Sequence, residues 1–278
     1  MRVVKARYAG ACYGVQRALD MAVKASEGGE GAFTLGPLIH NPQVVADLAA
    51  RGIRAVDGPG SVEHGSVIIR SHGVTPAVRR EVEERNLPLI DATCPHVARA
   101  QKAAADLARR CGCVVVVGEA GHPEVEGLVA HAREAGGRVE VVASPEDLPA
   151  GLEAPVGIVV QTTQTREALD AVVACLTARG IEAEVKNTIC FATRQRQESA
   201  AALADGVDAI VVIGGRNSSN TTCLADICAS ACPRTYHVEA PDELDPAWFA
   251  GCESVGVTAG ASTPEDQIAA IVARLEAL

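Results

Sequence analysis

CVVVVGEAGHPE (113–124) and AIVVIGGRNSSN (209–220) are the two stretches whose reading decides the fold. Each opens on five apolar, mostly β-branched residues with nothing polar among them. A continuous run of that length fits a strand covered on both faces, as in a parallel sheet flanked by helices. Each stretch then passes through glycine into a polar cluster and on into a helical pattern. The same succession can be followed outward along the chain. Runs that read as strands are 2–5, 67–70, 88–90, 113–117, 139–142, 156–160, 182–186, 209–213, 235–238 and 254–258, with helical patterns between them, for example at 95–110, 165–179, 192–204 and 264–278.

Three cysteines keep phase with this pattern. Cys12, Cys94 and Cys190 are followed, at one common offset of 28 residues, by His40, His122 and Ser218. That regularity reads as one structural unit used three times. Aligned on the cysteines, each copy runs cysteine, helix, strand, polar motif, helix, strand, acidic Pro-containing loop, strand, second polar motif, helix and a strand leading to the next cysteine. The first polar motifs are IHNP (39–42), GHPE (121–124) and NSSN (217–220). The second are SHG (71–73), QTT (161–163) and GAST (260–263), and the acidic loops are DGPGS (57–61), SPEDLP (144–149) and APDELDP (240–246). The third copy lacks its last strand, and the N-terminal strand before Cys12 has the character to replace it. The expected fold is therefore α/β, with three pseudo-symmetric lobes, each a small parallel sheet with flanking helices. Their bounds are 13–94, 95–187 and 188–278, with 1–12 completing the third lobe. Ligands of parallel α/β sheets gather beyond the carboxyl ends of the strands, so the polar motifs are expected to face one central cavity.

Composition narrows the function. A chain of 278 residues with 48% apolar content can bury a large core, and aromatics, at 3%, contribute little to it. A net charge of −10 argues against nucleic acid as the main partner, because phosphate backbones are bound by dense Lys/Arg surfaces. MRVVKARYAG lacks an apolar signal core, and no stretch approaches the roughly 18 apolar residues of a membrane span. The expected location is the cytoplasm, where ten cysteines are metal ligands, redox groups or small buried hydrophobes rather than disulfides. No G-x-G-x-x-G or Walker-type segment occurs, so NAD(P), FAD and ATP are disfavoured and electrons are expected from an outside carrier.

Three thiolates, one per copy, suit an iron–sulfur cluster with one iron left open. Cys12, Cys94 and Cys190 each stand at a strand-to-helix turn, where a side chain can project into a site. Cys223, Cys228 and Cys232 share one helical pattern that puts the first and last on opposite faces. They read as packing, as do Cys111, Cys113, Cys175 and Cys252. His40, His72, His122, Ser218, Ser219, Asn220 and Ser262 offer directed hydrogen bonds to an ionised phosphate group, helped by helix N-termini. The same serines and asparagine also suit helix capping, and the two roles can coexist. His64, His96, His131 and His237 lack a companion motif and read as surface or satisfied core. Glu124 is the candidate acid, with Thr162 as a hydroxyl relay, and Glu126 reads as a solvated helix residue.

ACYGVQRA (11–18), IHNPQVV (39–45), SHGV (71–74), DATCP (91–95), GHPEVEG (121–127), QTT (161–163), TIC-AT (188–193), NSSNT (217–221) and TAGASTPE (258–265) together resemble the LytB-type 4-hydroxy-3-methylbut-2-enyl diphosphate reductases. These are iron–sulfur enzymes of the non-mevalonate isoprenoid route, and the resemblance covers almost the whole chain in order. It implies that Cys12, Cys94 and Cys190 hold one 4Fe–4S cluster at the centre of the lobes. It further implies that His40, His72, His122, Ser218, Ser219, Asn220 and Ser262 hold the diphosphate, that Glu124 supplies protons and that Thr162 places the hydroxyl end. The implied reaction is reductive dehydroxylation of the allylic diphosphate to isopentenyl and dimethylallyl diphosphate, with a ferredoxin- or flavodoxin-type donor. The family often has an aromatic residue where this chain has Ala11, and an acidic one where it has Asn187 and Thr188; neither position is a proposed ligand. A quinolinate synthase-like enzyme shares the three-cysteine architecture without this full set of His and Ser motifs. A non-catalytic iron–sulfur redox sensor would need no donor-lined cavity.

Overall fold

The computed structural model describes residues 1–29 and 31–278. In chain order these form β1 (Arg2–Lys5), α1 (Tyr13–Ser26), β2 (Ala32–Leu35), α2 (Pro42–Ala50), β3 (Ile53–Val56), β4 (Ser66–Ile69), α3 (Pro76–Glu84) and β5 (Leu89–Asp91). The second pass is α4 (Pro95–Ala108), β6 (Cys113–Val117), α5 (Pro123–Glu134), β7 (Arg138–Val142), β8 (Val156–Val160), α6 (Arg166–Ala178) and β9 (Ala183–Lys186). The third is α7 (Phe191–Ala204), β10 (Ala209–Ile213), α8 (Ser219–Ala231), β11 (Thr235–Val238), β12 (Ser254–Ala259) and α9 (Glu265–Glu276). The strands make three four-stranded sheets, ordered β3-β2-β4-β5, β7-β6-β8-β9 and β11-β10-β12-β1, and every ladder is parallel. One strand order thus occurs three times. β1 takes the place in the third sheet that β5 and β9 hold in the others, pairing Arg2 with Ser254 through Lys5 with Val257.

By packing, the chain forms two compact units. One comprises Met1–Val15, His40–Gln43 and Phe191–Leu278 and holds the β11-β10-β12-β1 sheet. The other comprises Gln16–Ile39 and Val44–Cys190 and holds the remaining two sheets.

The continuous apolar runs are covered on both faces. In β6, Val114 and Val116 pack with Leu107 and Leu128 on one side, while Cys113, Val115 and Val117 pack with Leu169 and Leu176 on the other. In β10, Ala209, Val211 and Ile213 face Ile268 and Ile271, and Ile210 and Val212 face Leu224 and Cys228. Two strands, β2 and β3, are missing from the runs read off the sequence, although the repeat order requires a strand at each place. Both are four residues long, and Thr34 and Arg54 interrupt their apolar character. The pairing partners supply what composition does not.

The same detail closes each central strand. Gly36, Gly118 and Gly214 directly follow β2, β6 and β10, and donate their N–H groups to the last carbonyl of the adjoining edge strand, at Val56 (2.8 Å), Val142 (2.9 Å) and Val238 (3.0 Å). Gly214 has φ of +141°, and a Cβ there would lie 2.6 Å from Thr263 Oγ1, so only glycine fits the turn.

Helix α4 sits closely on β8: a Cβ at Gly157 would meet the Cβ of fully buried Leu107 at 2.9 Å. Gly157→Ala should therefore cost about 1–3 kcal/mol by overpacking, measured as a lower urea midpoint with an unchanged slope.

Candidate functional site

The site residues hang from the carboxyl ends of the strands at fixed distances. His40, His122 and Ser218 each stand five residues beyond the end of a central strand, β2, β6 or β10. Ser71, Thr162 and Ala261 each stand two residues beyond β4, β8 or β12. Each candidate cluster cysteine donates its backbone N–H to the carbonyl at this second position: Cys94 to Ser71 (2.9 Å), Cys190 to Thr162 (3.0 Å) and Cys12 to Ala261 (3.1 Å). Each cysteine is also the residue directly before a helix, α4, α7 and α1 respectively. All three therefore stand at the positive end of a helix dipole.

Within the second unit, Glu124 is 1% exposed in the first turn of α5. Its Oε1 accepts the Thr162 N–H at 2.6 Å and its Oε2 accepts the Thr162 hydroxyl at 2.8 Å. Burial pushes its carboxyl up to about 7, against these two hydrogen bonds, which favour the ionised form. His122 caps the same helix, with Nδ1 accepting the Glu124 N–H at 3.1 Å. Burial, reinforced by the nearby Arg70 guanidinium, pushes His122 down to about 4, so its imidazole is neutral at physiological pH. With Nδ1 accepting, the neutral ring carries its proton on Nε2 and presents a donor there. The His72 ring stands edge-on to that of His122, with centroids 5.6 Å apart.

In the first unit, three of the polar motifs meet. The Ser262 hydroxyl donates to the His40 carbonyl at 2.9 Å, and buried Asn41 donates through Nδ2 to the Ser262 carbonyl (3.1 Å) and to Gln267 Oε1 (2.9 Å). A Cβ on Gly215, ahead of NSSN, would lie 2.9 Å from the His40 carbonyl oxygen. Ser218 caps α8, its Oγ accepting from the Thr221 N–H, so the capping role is real. Asn220 is 5% exposed, and neither its Oδ1 nor its Nδ2 has a hydrogen-bond partner. Asn220 stands in the first turn of α8, directly after Ser219. Ser219 is half-buried beside it.

The remaining candidates fall out as expected. Glu126 is exposed, and His64 is exposed. His237 is held by the Gly214 carbonyl at 2.8 Å, and His96 contacts Arg99. Cys111, Cys113, Cys228 and Cys232 are buried, and burial pushes the Cys228 thiol up to about 12, where it is inert. Among the described residues the ten cysteines form no disulfide, and no three His, Cys, Asp or Glu side chains converge closely enough to hold a metal ion. Also among them, no helix is long and apolar enough to cross a membrane. Two arginines escaped the sequence reading. Arg70, next to SHG, tunes His122, and Arg196, 7% exposed, donates from Nε (3.0 Å) and Nη2 (2.6 Å) to the Gly10 carbonyl. Arg70 directly precedes a singled-out motif, which was a signal to consider it. Arg196 is one of three charged residues in a helical pattern and carries no such signal.

The LytB protein family model matches residues 3–276. The chain is 49% identical to the 4-hydroxy-3-methylbut-2-enyl diphosphate reductase of Citrifermentans bemidjiense over 282 residues, covering all of this chain and 98% of the relative. It is 48% identical to the enzyme so named from Geobacter sulfurreducens over 279 residues, covering 99% and 97%. A solved structure of (E)-4-hydroxy-3-methyl-but-2-enyl diphosphate reductase, described as the terminal enzyme of the non-mevalonate pathway, superposes with a TM-score of 0.73 at 41% identity, with full coverage of both chains. The Plasmodium falciparum reductase structure, at 24% identity, shares the fold with a TM-score of 0.88 over 98% of this chain and 87% of its own.

The buried acid has a measurable signature. The native chain keeps the Glu124 proton up to about 7, whereas an unperturbed carboxyl has a value of 4.5. The native state thus binds more protons between those values, and the stability associated with Glu124 is full below 4.5 and lost as pH rises through about 7. The loss should be on the order of 3 kcal/mol and absent in Glu124→Gln. Infrared difference spectra of the two proteins should show a protonated carboxyl at pH 6 that disappears by pH 8.

Proposed function

The chain belongs to the LytB family, and from that premise we propose that it catalyses the reductive dehydroxylation of 4-hydroxy-3-methylbut-2-enyl diphosphate to isopentenyl and dimethylallyl diphosphate. The observation that carries the reading is a pair of consecutive contacts through one residue. Thr162 donates its N–H and hydroxyl to Glu124 and accepts the Cys190 N–H on its carbonyl. A proton donor, a hydroxyl and a candidate cluster ligand are thereby tied together.

Cys12, Cys94 and Cys190 fit a 4Fe–4S cluster: all three are partly exposed residues immediately before helices, held by one repeated hydrogen bond. In this reading they hold one such cluster per chain. When bound, the cluster supplies two electrons, one at a time, and an open iron that acts as a Lewis acid toward the substrate hydroxyl. The electrons come from an external ferredoxin- or flavodoxin-type donor. The cytoplasm, where thiols stay reduced, belongs to the same reading. So do three lobes spanning 13–94, 95–187 and 188–278.

The chain's own residues bind, orient and protonate. His40, His72, His122, Ser218, Ser219, Asn220 and Ser262 offer N–H and O–H donors to the diphosphate, and α8 adds its N-terminal N–H groups. His122 does so as a neutral Nε2–H donor, the tautomer its capping bond enforces. Thr162 places the substrate's hydroxyl end. Glu124, protonated near neutrality, delivers its proton to the departing oxygen, and the Thr162 hydroxyl can accept from the acid while handing on its own proton. The neutral acid is the competent form, so turnover should decline as pH rises through about 7.

Anaerobic reconstitution followed by iron and sulfide analysis tests the cluster, and oxidation of a reduced viologen on adding the diphosphate tests the reaction. Both five-carbon diphosphate products are expected. Cys94→Ser should lose the cluster and all turnover. Glu124→Gln should keep the cluster and lose about 10²–10⁴-fold in turnover. Near-normal turnover in that variant would remove Glu124 from its role, and a full cluster without any turnover would point to a different substrate or a sensor.

A further inference from the structure

Arg70 carries a charge for which the described residues offer no counter-ion. It directly follows β4 and is half-buried, and among the described residues it enters no ion pair. The chain holds 35 acidic residues against 25 basic ones, so a cation that needs a carboxylate has ample choice. Arg79, Arg80, Arg110, Arg138 and Arg216 each take one. Glu126 is the carboxylate whose charge reaches Arg70, and it is exposed on α5 without bonding to it. A guanidinium keeps its proton in a protein, and burying it without a partner is costly. Burial accordingly pulls the Arg70 pKa down, in opposition to Glu126.

Every contact of its side chain lies in the second unit, at the carboxyl ends of strands, where parallel sheets gather their ligands. Nε donates to the Gly73 carbonyl of the SHG motif, beyond β4, at 3.3 Å. Nη1 rests against the loop leaving β2, so that a Cβ on Gly36 would lie 2.5 Å from it. Its charge is felt at His122, in the loop between β6 and α5, where it adds to burial in holding the imidazole neutral. His72 and His122, with ring centroids 5.6 Å apart, are the diphosphate donors assigned above that this unit carries. Clamping the SHG loop is an insufficient reason for the side chain. The Gly73 N–H already closes that turn on the Arg70 backbone carbonyl at 2.9 Å. The longer bond from Nε occupies a single N–H, and Nη1 and Nη2 have no acceptor among the described residues.

We propose that Arg70 is a further diphosphate-binding residue, the cation beside His72 and His122, and that it sets the preference of the site for a diphosphate over a single phosphate. The proposal rests on the activity proposed above and deepens its account of the substrate. A net charge of −10 opposes an anion, and neutral donors supply direction without charge. A guanidinium held at Nε by one backbone carbonyl keeps its Nη1 and Nη2 fork for phosphate oxygens, a geometry that suits a bidentate contact. Seated against Gly36 and partly desolvated, it is aimed before the ligand arrives, which lowers the ordering cost of binding. A diphosphate brings more charge and more acceptor oxygens to that fork than a monophosphate does, so the cation discriminates between them.

The test uses the reconstituted holoenzyme, with iron and sulfide content verified, and inorganic diphosphate as the probe. Its Kd, measured calorimetrically, should rise about 10- to 100-fold in Arg70→Gln and in Arg70→Met. Arg70→Lys, which keeps the charge without the fork, should recover part of that loss. The ratio of the orthophosphate Kd to the diphosphate Kd should shrink in Arg70→Gln, and the salt dependence of diphosphate binding should become shallower. In viologen-driven turnover the same substitution should appear mainly as a higher KM for the substrate rather than as a lower kcat. An unchanged diphosphate Kd in Arg70→Gln would overturn the proposal. So would Arg70→Lys binding no better than Arg70→Met, which would leave the side chain a packing role. Failure of the unsubstituted holoenzyme to bind diphosphate would overturn both this assignment and the substrate reading. Absence of turnover in an unsubstituted protein that still binds diphosphate through Arg70 would support the assignment and count against the proposed reaction alone.

Discussion

The hydrogen bond from a cysteine N–H to the carbonyl two residues past a neighbouring strand is the contact on which the rest of the site depends. It occurs three times, at Cys12, Cys94 and Cys190. A strand buried on both faces satisfies its own peptide groups through the ladder, but beyond its last residue the backbone must find new partners. The chain answers with one solution. The loops following β4, β8 and β12 accept from the cysteine that introduces the next helix, so strand end and helix start are joined at one point. The position of each cysteine Cα is then set by backbone hydrogen bonding.

Glu124 shows how the same scaffold tunes chemistry. Two donors on one carboxylate would ordinarily stabilise its charge, and both come from Thr162. Desolvation nevertheless outweighs them and lifts the carboxyl to about 7. The opposite shift at His122, two residues earlier, has the same first cause: burial disfavours charge of either sign. A single environment therefore yields a protonated acid and a neutral base side by side. The shared first turn of α5 fixes both, since the His122 cap holds the Glu124 N–H.

Much of this was legible in the sequence because the fold is periodic. Runs such as CVVVV can be stable only if both faces are covered, and the phase of three cysteines revealed the repeat that places the polar motifs. The place of 2–5 in the third sheet followed from counting the copies, and the pairing of β1 with β12 supplies its physical reason. β2 and β3 were harder, because a four-residue strand containing Thr34 or Arg54 owes its state to neighbours far along the chain. The tautomer of His122 and the pull of burial against hydrogen bonding at Glu124 depend on distances, which composition does not encode. Arg196 was invisible for a related reason. In sequence it is one more cation in RQRQE (194–198), and only the fold shows that its partner is a backbone carbonyl 186 residues away.

The proposed donor set also bears on how an acidic chain would serve an anionic substrate. With a net charge of −10, long-range attraction for a diphosphate is absent, so recognition must come from short-range terms. The assigned donors are hydroxyls, an amide and imidazoles rather than lysines, and His122 is held neutral. Such groups bind through direction and helix-terminal dipoles, and their strength depends on being desolvated and pre-aimed. Asn220 meets that condition: it is buried, its amide is without a partner, and it lies in the first turn of α8. Leaving a buried amide unsatisfied costs about 1–3 kcal/mol. In the proposed role, an anion accepting from it would offset that cost on binding, so a local instability of the folded chain would become affinity for the ligand that relieves it.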